Sequence, residues 1–119
     1  MNLNDKIMVI TGASSGIGTA TARAAAREGA RVVLLARTQS KLESVAEDIR
    51  RSGKIAHVYA VDLTIADAVG EVAKKITSEV GTPDIIFNNA GAGQWLSVEE
   101  TIPVKLSAIA IPAAKQAEC

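Results

Sequence analysis

Several residue types that carry chemistry are almost missing from this chain of 119 residues. The single cysteine, Cys119, is the final residue, so no intrachain disulfide can form. With only one histidine, His57, in addition, the chain has little from which to assemble a Zn site of its own. Aromatics number three, Tyr59, Phe87 and Trp95, and most acid–base schemes must therefore use Tyr59 or His57 or fail. Charge of one sign is also lacking, because 13 basic residues balance 13 acidic ones. That balance speaks against a nucleic-acid binder or a membrane-surface protein, which advertise a basic excess. Apolar runs are short, far below the ~18 residues of a membrane span. The opening Met1-Asn2-Leu3-Asn4-Asp5-Lys6 has no apolar signal core, and a cytoplasmic location is the expectation.

What is abundant is small and aliphatic. Hydrophobic residues make up 48% of the chain, and the near absence of aromatics leaves Ala, Val, Ile and Leu to build the core. Such a core suits helices lying close on a parallel sheet. The length points to one domain. Short β-branched runs recur at Ile7-Met8-Val9-Ile10, Val32-Val33-Leu34-Leu35, Ile55 to Val61 and Ile85-Ile86-Phe87. Segments of helical period lie between them. The first runs from about Gly16 to Glu28 and stops at Gly29. The second opens on the capping-box spacing Ser40-Lys41-Leu42-Glu43, buries Leu42, Val45, Ala46 and Ile49, and stops at Gly53. The third follows Thr64, buries Ala68, Val69, Val72, Ala73 and Ile76, and ends near Gly81-Thr82-Pro83. This alternation predicts an α/β fold with a parallel sheet and right-handed crossovers. Residues 1–93 form the βαβαβαβ unit in this reading. Residues 94–119, interrupted by Pro103 and Pro112, are expected to be an irregular or partly helical tail.

The strongest motif is Thr11-Gly12-Ala13-Ser14-Ser15-Gly16-Ile17-Gly18, between the first strand and the first helix. Glycine is needed where the chain turns sharply and where backbone approaches a phosphate with no Cβ in the way. Free N–H groups at a helix start then face the anion, aided by the helix dipole. No Lys follows the glycines, which excludes the phosphate loop of an NTPase. At the end of the second strand, where a dinucleotide presents its adenosine ribose, the sequence is Ala36-Arg37-Thr38. A guanidinium there suits a 2′-phosphate, whereas an acidic residue would accept from a bare ribose, so NADP(H) is favoured over NAD(H). The bland alternative is a solvated Arg at a strand end. Asp62-Leu63-Thr64 closes the third strand, either as an adenine contact or as a loop start and helix cap. The fourth strand runs into Asn88-Asn89-Ala90-Gly91, two amides that must be hydrogen-bonded if buried, followed by small residues.

Together these motifs closely resemble the short-chain dehydrogenase/reductase family, with the likeness running from about Asp5 to Gly93. The resemblance implies a Rossmann-type doubly wound sheet whose strand order begins 3-2-1-4, with the dinucleotide crossing between strands one and four. It implies that Gly12, Ser14, Ser15, Gly16, Ile17 and Gly18 line the pyrophosphate and that Arg37 meets the 2′-phosphate. Asp62 and Leu63 would meet the adenine, and Asn89 and Ala90 the ribose on the nicotinamide side. It further implies hydride transfer between the nicotinamide and a carbonyl or alcohol substrate, with a Tyr and a Lys four positions later handling the proton. This sequence lacks that pair, because its only Tyr is Tyr59 and the fourth residue after it is Leu63. The expectation is thus a cofactor-binding half, truncated after the fourth strand, with no catalytic residue assigned. A noncatalytic nucleotide-binding or interaction fragment stays open as the alternative, whereas Arg37 contradicts a Rossmann-type methyltransferase. An uncovered fourth strand, carrying Ile85, Ile86 and Phe87, would invite self-association through its open edge.

Overall fold

A computed structural model describes residues 3–14, 16–89 and 94–97. The elements follow in the order β1 (Ile7–Thr11), α1 (Gly16–Arg27), β2 (Arg31–Ala36), α2 (Gln39–Arg51), β3 (Ala56–Ala60), α3 (Ala66–Glu79), β4 (Ile85–Asn88) and β5 (Gln94–Ser97). The sheet order is β3-β2-β1-β4-β5. The first four strands pair in parallel, with Met8 opposite both Val32 and Ile85, and Val32 opposite Ala56. The expected 3-2-1-4 order is therefore present.

Strands covered on both faces must be apolar throughout, and each side chain then goes to the face its parity dictates. Met8, Ile10, Val32, Leu34 and Phe87 pack with Ala22, Ala25 and Ala26 of α1 and Leu42, Val45, Ala46 and Ile49 of α2. Val9, Val33, Leu35 and Ile86 point the other way, onto Val69, Ala73 and Ile76 of α3. Alanine on the inner face of α1 lets that helix lie close to β1 and β2. The start of β1 is clasped to the start of β4, since Ile7 donates its N–H to Asp84 Oδ2 (2.9 Å) and Asp84 returns its own N–H to Ile7 O (2.8 Å). Among the described residues no helix is long and apolar enough to cross a membrane.

Two expectations need correction. The capping box at Ser40 does not form. Thr38 is the N-cap of α2, and Ser40 lies inside the helix, whose entry is set by the chain leaving β2 rather than by a side-chain cap. Nor is β4 an open edge. Gln94–Ser97 returns antiparallel along it, pairing Ile85 with Ser97 and Asn88 with Gln94. The physical reason is that the unpaired N–H and C=O groups of an apolar strand need partners, and the nearest chain supplies them. Self-association through the strand-four edge loses its basis, and the presumed irregular tail begins with a strand. Its remainder, residues 98–119, lies outside the described residues.

Candidate functional site

Because β1 lies between β2 and β4, the chain's crossovers diverge on either side of it. The carboxyl ends of β1 and β4 flank this switch point, the place where α/β folds of this kind bind ligands in a crevice. The turn from β1 into α1 occupies that position. Its glycines do different jobs. Gly16 has φ +41°, and a Cβ built there would meet nothing within 4 Å, so the backbone faces open space. At Gly18 a Cβ would lie 2.2 Å from Gly12 O and 3.0 Å from Ala13 Cα, so only hydrogen allows the first turn of α1 to rest on the loop.

Hydrogen bonds from three elements hold the turn. Ala13 donates its N–H to Leu35 O at 3.3 Å, Thr19 donates its hydroxyl to Ala13 O at 2.8 Å, and Asn89 Nδ2 donates to Gly12 O at 3.2 Å. The carbonyls are thereby drawn inward to the protein. The first turn of α1 contains no acidic residue, so no carboxylate of that turn competes for its N–H groups. Ile17, in the first turn of α1, is a large apolar side chain left 68% exposed. Ser14 is half-buried on the turn, and Ser15 lies outside the described residues.

Beneath the turn, the fully buried Thr11 and Asn88 stand opposite each other at the last register position of β1 and β4. The Thr11 hydroxyl donates to Asn88 Oδ1 at 2.8 Å. This pair, with Thr19, is the part of the site that the motif assignment passed over. The signal was available in the cost of burying an amide at a strand end. Asn89, expected beside a ribose, braces the glycine turn through one end of its amide. Ala90 lies outside the described residues.

The neighbouring strand ends carry the charged groups. Val61 donates its N–H to Ala36 O at 2.9 Å, which extends the β2–β3 pairing to the lip of the crevice and sets the next residues, Arg37 and Asp62, on adjoining strand ends. Arg37 is exposed, and among the described residues no carboxylate forms an ion pair with it. Thr64 donates its hydroxyl (2.6 Å) and its N–H (3.0 Å) to Asp62 Oδ1. Those bonds hold the Asp62 carboxyl below its ordinary range, the hydroxyl most of all, and the charge of Arg37 acts the same way. Leu63 is only 7% exposed and packs in the α3-side core, so its backbone rather than its side chain borders the crevice.

The remaining titratable aromatics stand apart from this site. Tyr59 donates its hydroxyl to Glu79 Oε1 at 2.6 Å, and burial together with that carboxylate pushes the phenol up to about 12. A proton-transferring tyrosine needs the opposite shift. The imidazole of His57, in the same strand, is lowered by burial and then by the charges of Arg50 and Arg31. A cleft of about 400 Å³ between α1 and α2, lined by Arg23, Arg27, Asp48 and Lys54, lies at the end of the sheet where β2 and β3 begin. Among the described residues no group of three His, Cys, Asp or Glu gathers as a metal site.

The model of the short chain dehydrogenase family matches residues 6–109. The chain belongs to that family. An uncharacterized oxidoreductase of Mycobacterium tuberculosis is 47% identical over 105 residues, covering 82% of this chain and 31% of its own length. The chain thus spans about a third of the length of that relative, and less of some others. Among solved structures, L-sorbose reductase from Gluconobacter frateurii, complexed with NADPH and L-sorbose, superposes with a TM-score of 0.75 at 34% identity, over 97% of this chain and 47% of that one. A Haemophilus influenza protein with bound NAD gives a TM-score of 0.72 at 32% identity, over 76% of this chain and 32% of that one.

Proposed function

We propose that this chain binds a nicotinamide dinucleotide, NADP(H) in preference to NAD(H), across the carboxyl ends of β1 and β4. In this reading it serves as the cofactor half of an oxidoreductase acting on a carbonyl or alcohol substrate. The observation that carries the reading is the bare backbone at Gly16, facing open space at the start of a 12-residue helix. A helix N-terminus that opens on a glycine, at a sheet's switch point, suits an anion.

The residues then divide the ligand among them. The pyrophosphate lies along Gly12, Ser14, Ser15, Gly16, Ile17 and Gly18, where amides and hydroxyls donate. Arg37 takes the 2′-phosphate. Asp62 keeps the oxygen that Thr64 does not use for the adenine amino group, and the Leu63 backbone borders the ring. Asn89 has committed its Nδ2 to Gly12 O, which leaves its Oδ1 to accept from a ribose hydroxyl, with Ala90 beside it. When bound, the nicotinamide supplies hydride chemistry; the chain's own residues hold it in place and fix its orientation. NADPH in the sorbose reductase supports the reading, whereas the Haemophilus protein holds NAD, and in this reading Arg37 decides the preference.

A second reading, binding without turnover by this chain alone, is favoured by Tyr59, the only tyrosine, whose hydroxyl is committed to Glu79. Carbonyl reduction by the purified chain at roughly 1 per second or faster would contradict it.

The cofactor reading is tested at Arg37. A charge-assisted hydrogen bond contributes roughly 1.5–3 kcal/mol, so Arg37→Ala should weaken NADPH about ten- to a hundredfold and leave NADH nearly unchanged. Arg37→Asp should invert the preference by repelling phosphate and accepting from the ribose. Fluorescence titrations at matched salt give the constants. Equal affinity of the unaltered chain for both cofactors would overturn the NADP assignment.

A further inference from the structure

Arg37 does not act alone at its strand end. Ala36 and Ala60 are register partners and Val61 donates its N–H to Ala36 O, so Arg37 and Asp62 follow from adjoining strand ends, one register step from facing each other. Thr64 fixes the Asp62 carboxylate through two hydrogen bonds and keeps it ionised. A fixed anion therefore stands beside the one exposed guanidinium at the place where a second anion, the 2′-phosphate, must arrive. No ion pair joins the two side chains, so Asp62 acts on Arg37 and on the phosphate through its field.

We infer that Asp62 is a specificity-determining residue, whose carboxylate limits how strongly Arg37 can favour NADP(H) over NAD(H). This rests on the dinucleotide reading above. The attraction of Arg37 for the phosphate is offset in part by the repulsion of Asp62, while a cofactor without that phosphate feels neither. Whatever Asp62 does for the adenine is common to both cofactors and cancels in the ratio of their affinities. Removing one unit charge from the neighbourhood of a phosphate of nearly two negative charges, in a water-like dielectric with ordinary salt, should change that ratio about two- to sixfold.

The experiment compares dissociation constants for NADPH and NADH in the unaltered chain, Asp62→Asn, Asp62→Ser and Arg37→Ala, at low and high salt. Expected is a rise of about two- to sixfold in the NADPH-over-NADH preference for both Asp62 variants, shrinking as salt increases. Serine keeps an acceptor for Thr64, so it serves where the asparagine variant binds neither cofactor. An unchanged or reduced preference in the variants that bind, with Arg37→Ala still abolishing the preference, overturns the role of Asp62 and leaves the dinucleotide reading intact. Loss of all nucleotide binding in both Asp62 variants also overturns it, because Asp62 is then a requirement for the site rather than a limit on its choice. Failure of the unaltered chain to bind either cofactor removes the dinucleotide reading itself, and this role of Asp62 with it.

Discussion

Replacing Gly18 by alanine puts the packing of the glycine turn to the test. The added Cβ would stand 2.2 Å from Gly12 O and 2.9 Å from Gly12 C, both backbone atoms. An ordinary carbon–oxygen contact needs roughly 1 Å more, and no flexible side-chain end is available to yield. Either α1 moves off β1, opening the packing of Ala22, Ala25 and Ala26, or the turn is pushed outward and its bond from Asn89 stretches. Overpacking of this kind costs about 1–3 kcal/mol, and a backbone clash belongs at the upper end. Gly16→Ala is the matched control. Its Cβ meets nothing, so only the left-handed φ of +41° counts against it, about 1–2 kcal/mol. Urea unfolding followed by circular dichroism should therefore rank Gly18→Ala below Gly16→Ala, and both below the unaltered chain. Binding should distinguish them differently: with the pyrophosphate lying on the backbone at Gly16, a methyl there should weaken NADPH even where the fold survives. Equal stability of Gly18→Ala and the unaltered chain would refute the packing argument.

Two further outcomes follow from the hydrogen bonds. Thr11→Val keeps the volume and removes the hydroxyl that Asn88 Oδ1 accepts from, so denaturant unfolding should show a loss of about 1–3 kcal/mol. Tyr59 should remain protonated well past the ordinary tyrosine range, with its phenolate absorbance rising near pH 12. The sign for stability follows from linkage. The unfolded tyrosine ionises near pH 10 and the folded one near 12, so the contribution is complete below pH 10 and is lost as pH rises toward 12. Tyr59→Phe should flatten stability across that window; an unchanged pH profile in the variant would show that the Glu79 contact carries no such effect.

Much of this architecture was legible because several local signals agreed. The runs from Ile7 and Val32 are apolar on both faces, as strands covered by helices must be, and α1 and α2 stop just before Gly29 and Gly53 as expected. The glycine turn was legible for the same reason, since spacing and context both pointed to it. What escaped was decided by tertiary partners. Gln94–Ser97 has little strand character of its own and is a strand because β4 offers it an edge. The Ser40 capping spacing lost to the geometry of the chain leaving β2 at Thr38. Leu63 has a side chain that could face either a ligand or the core, and residue type alone does not say that α3 claims it. The Asn89 brace depends on where Gly12 O points, which no linear pattern encodes.

The central claim, a dinucleotide seated on the β1–α1 turn, is tested most directly by titrating NADPH into the isotope-labelled chain and following its backbone amide resonances. The account predicts saturable shifts at Gly12, Ser14, Gly16, Ile17, Gly18, Arg37, Asp62 and Asn89, with the Arg37 shift much reduced when NADH replaces NADPH. Saturable shifts confined to the cleft of Arg23, Arg27 and Lys54, or no shifts at the glycine turn at millimolar cofactor, would contradict it.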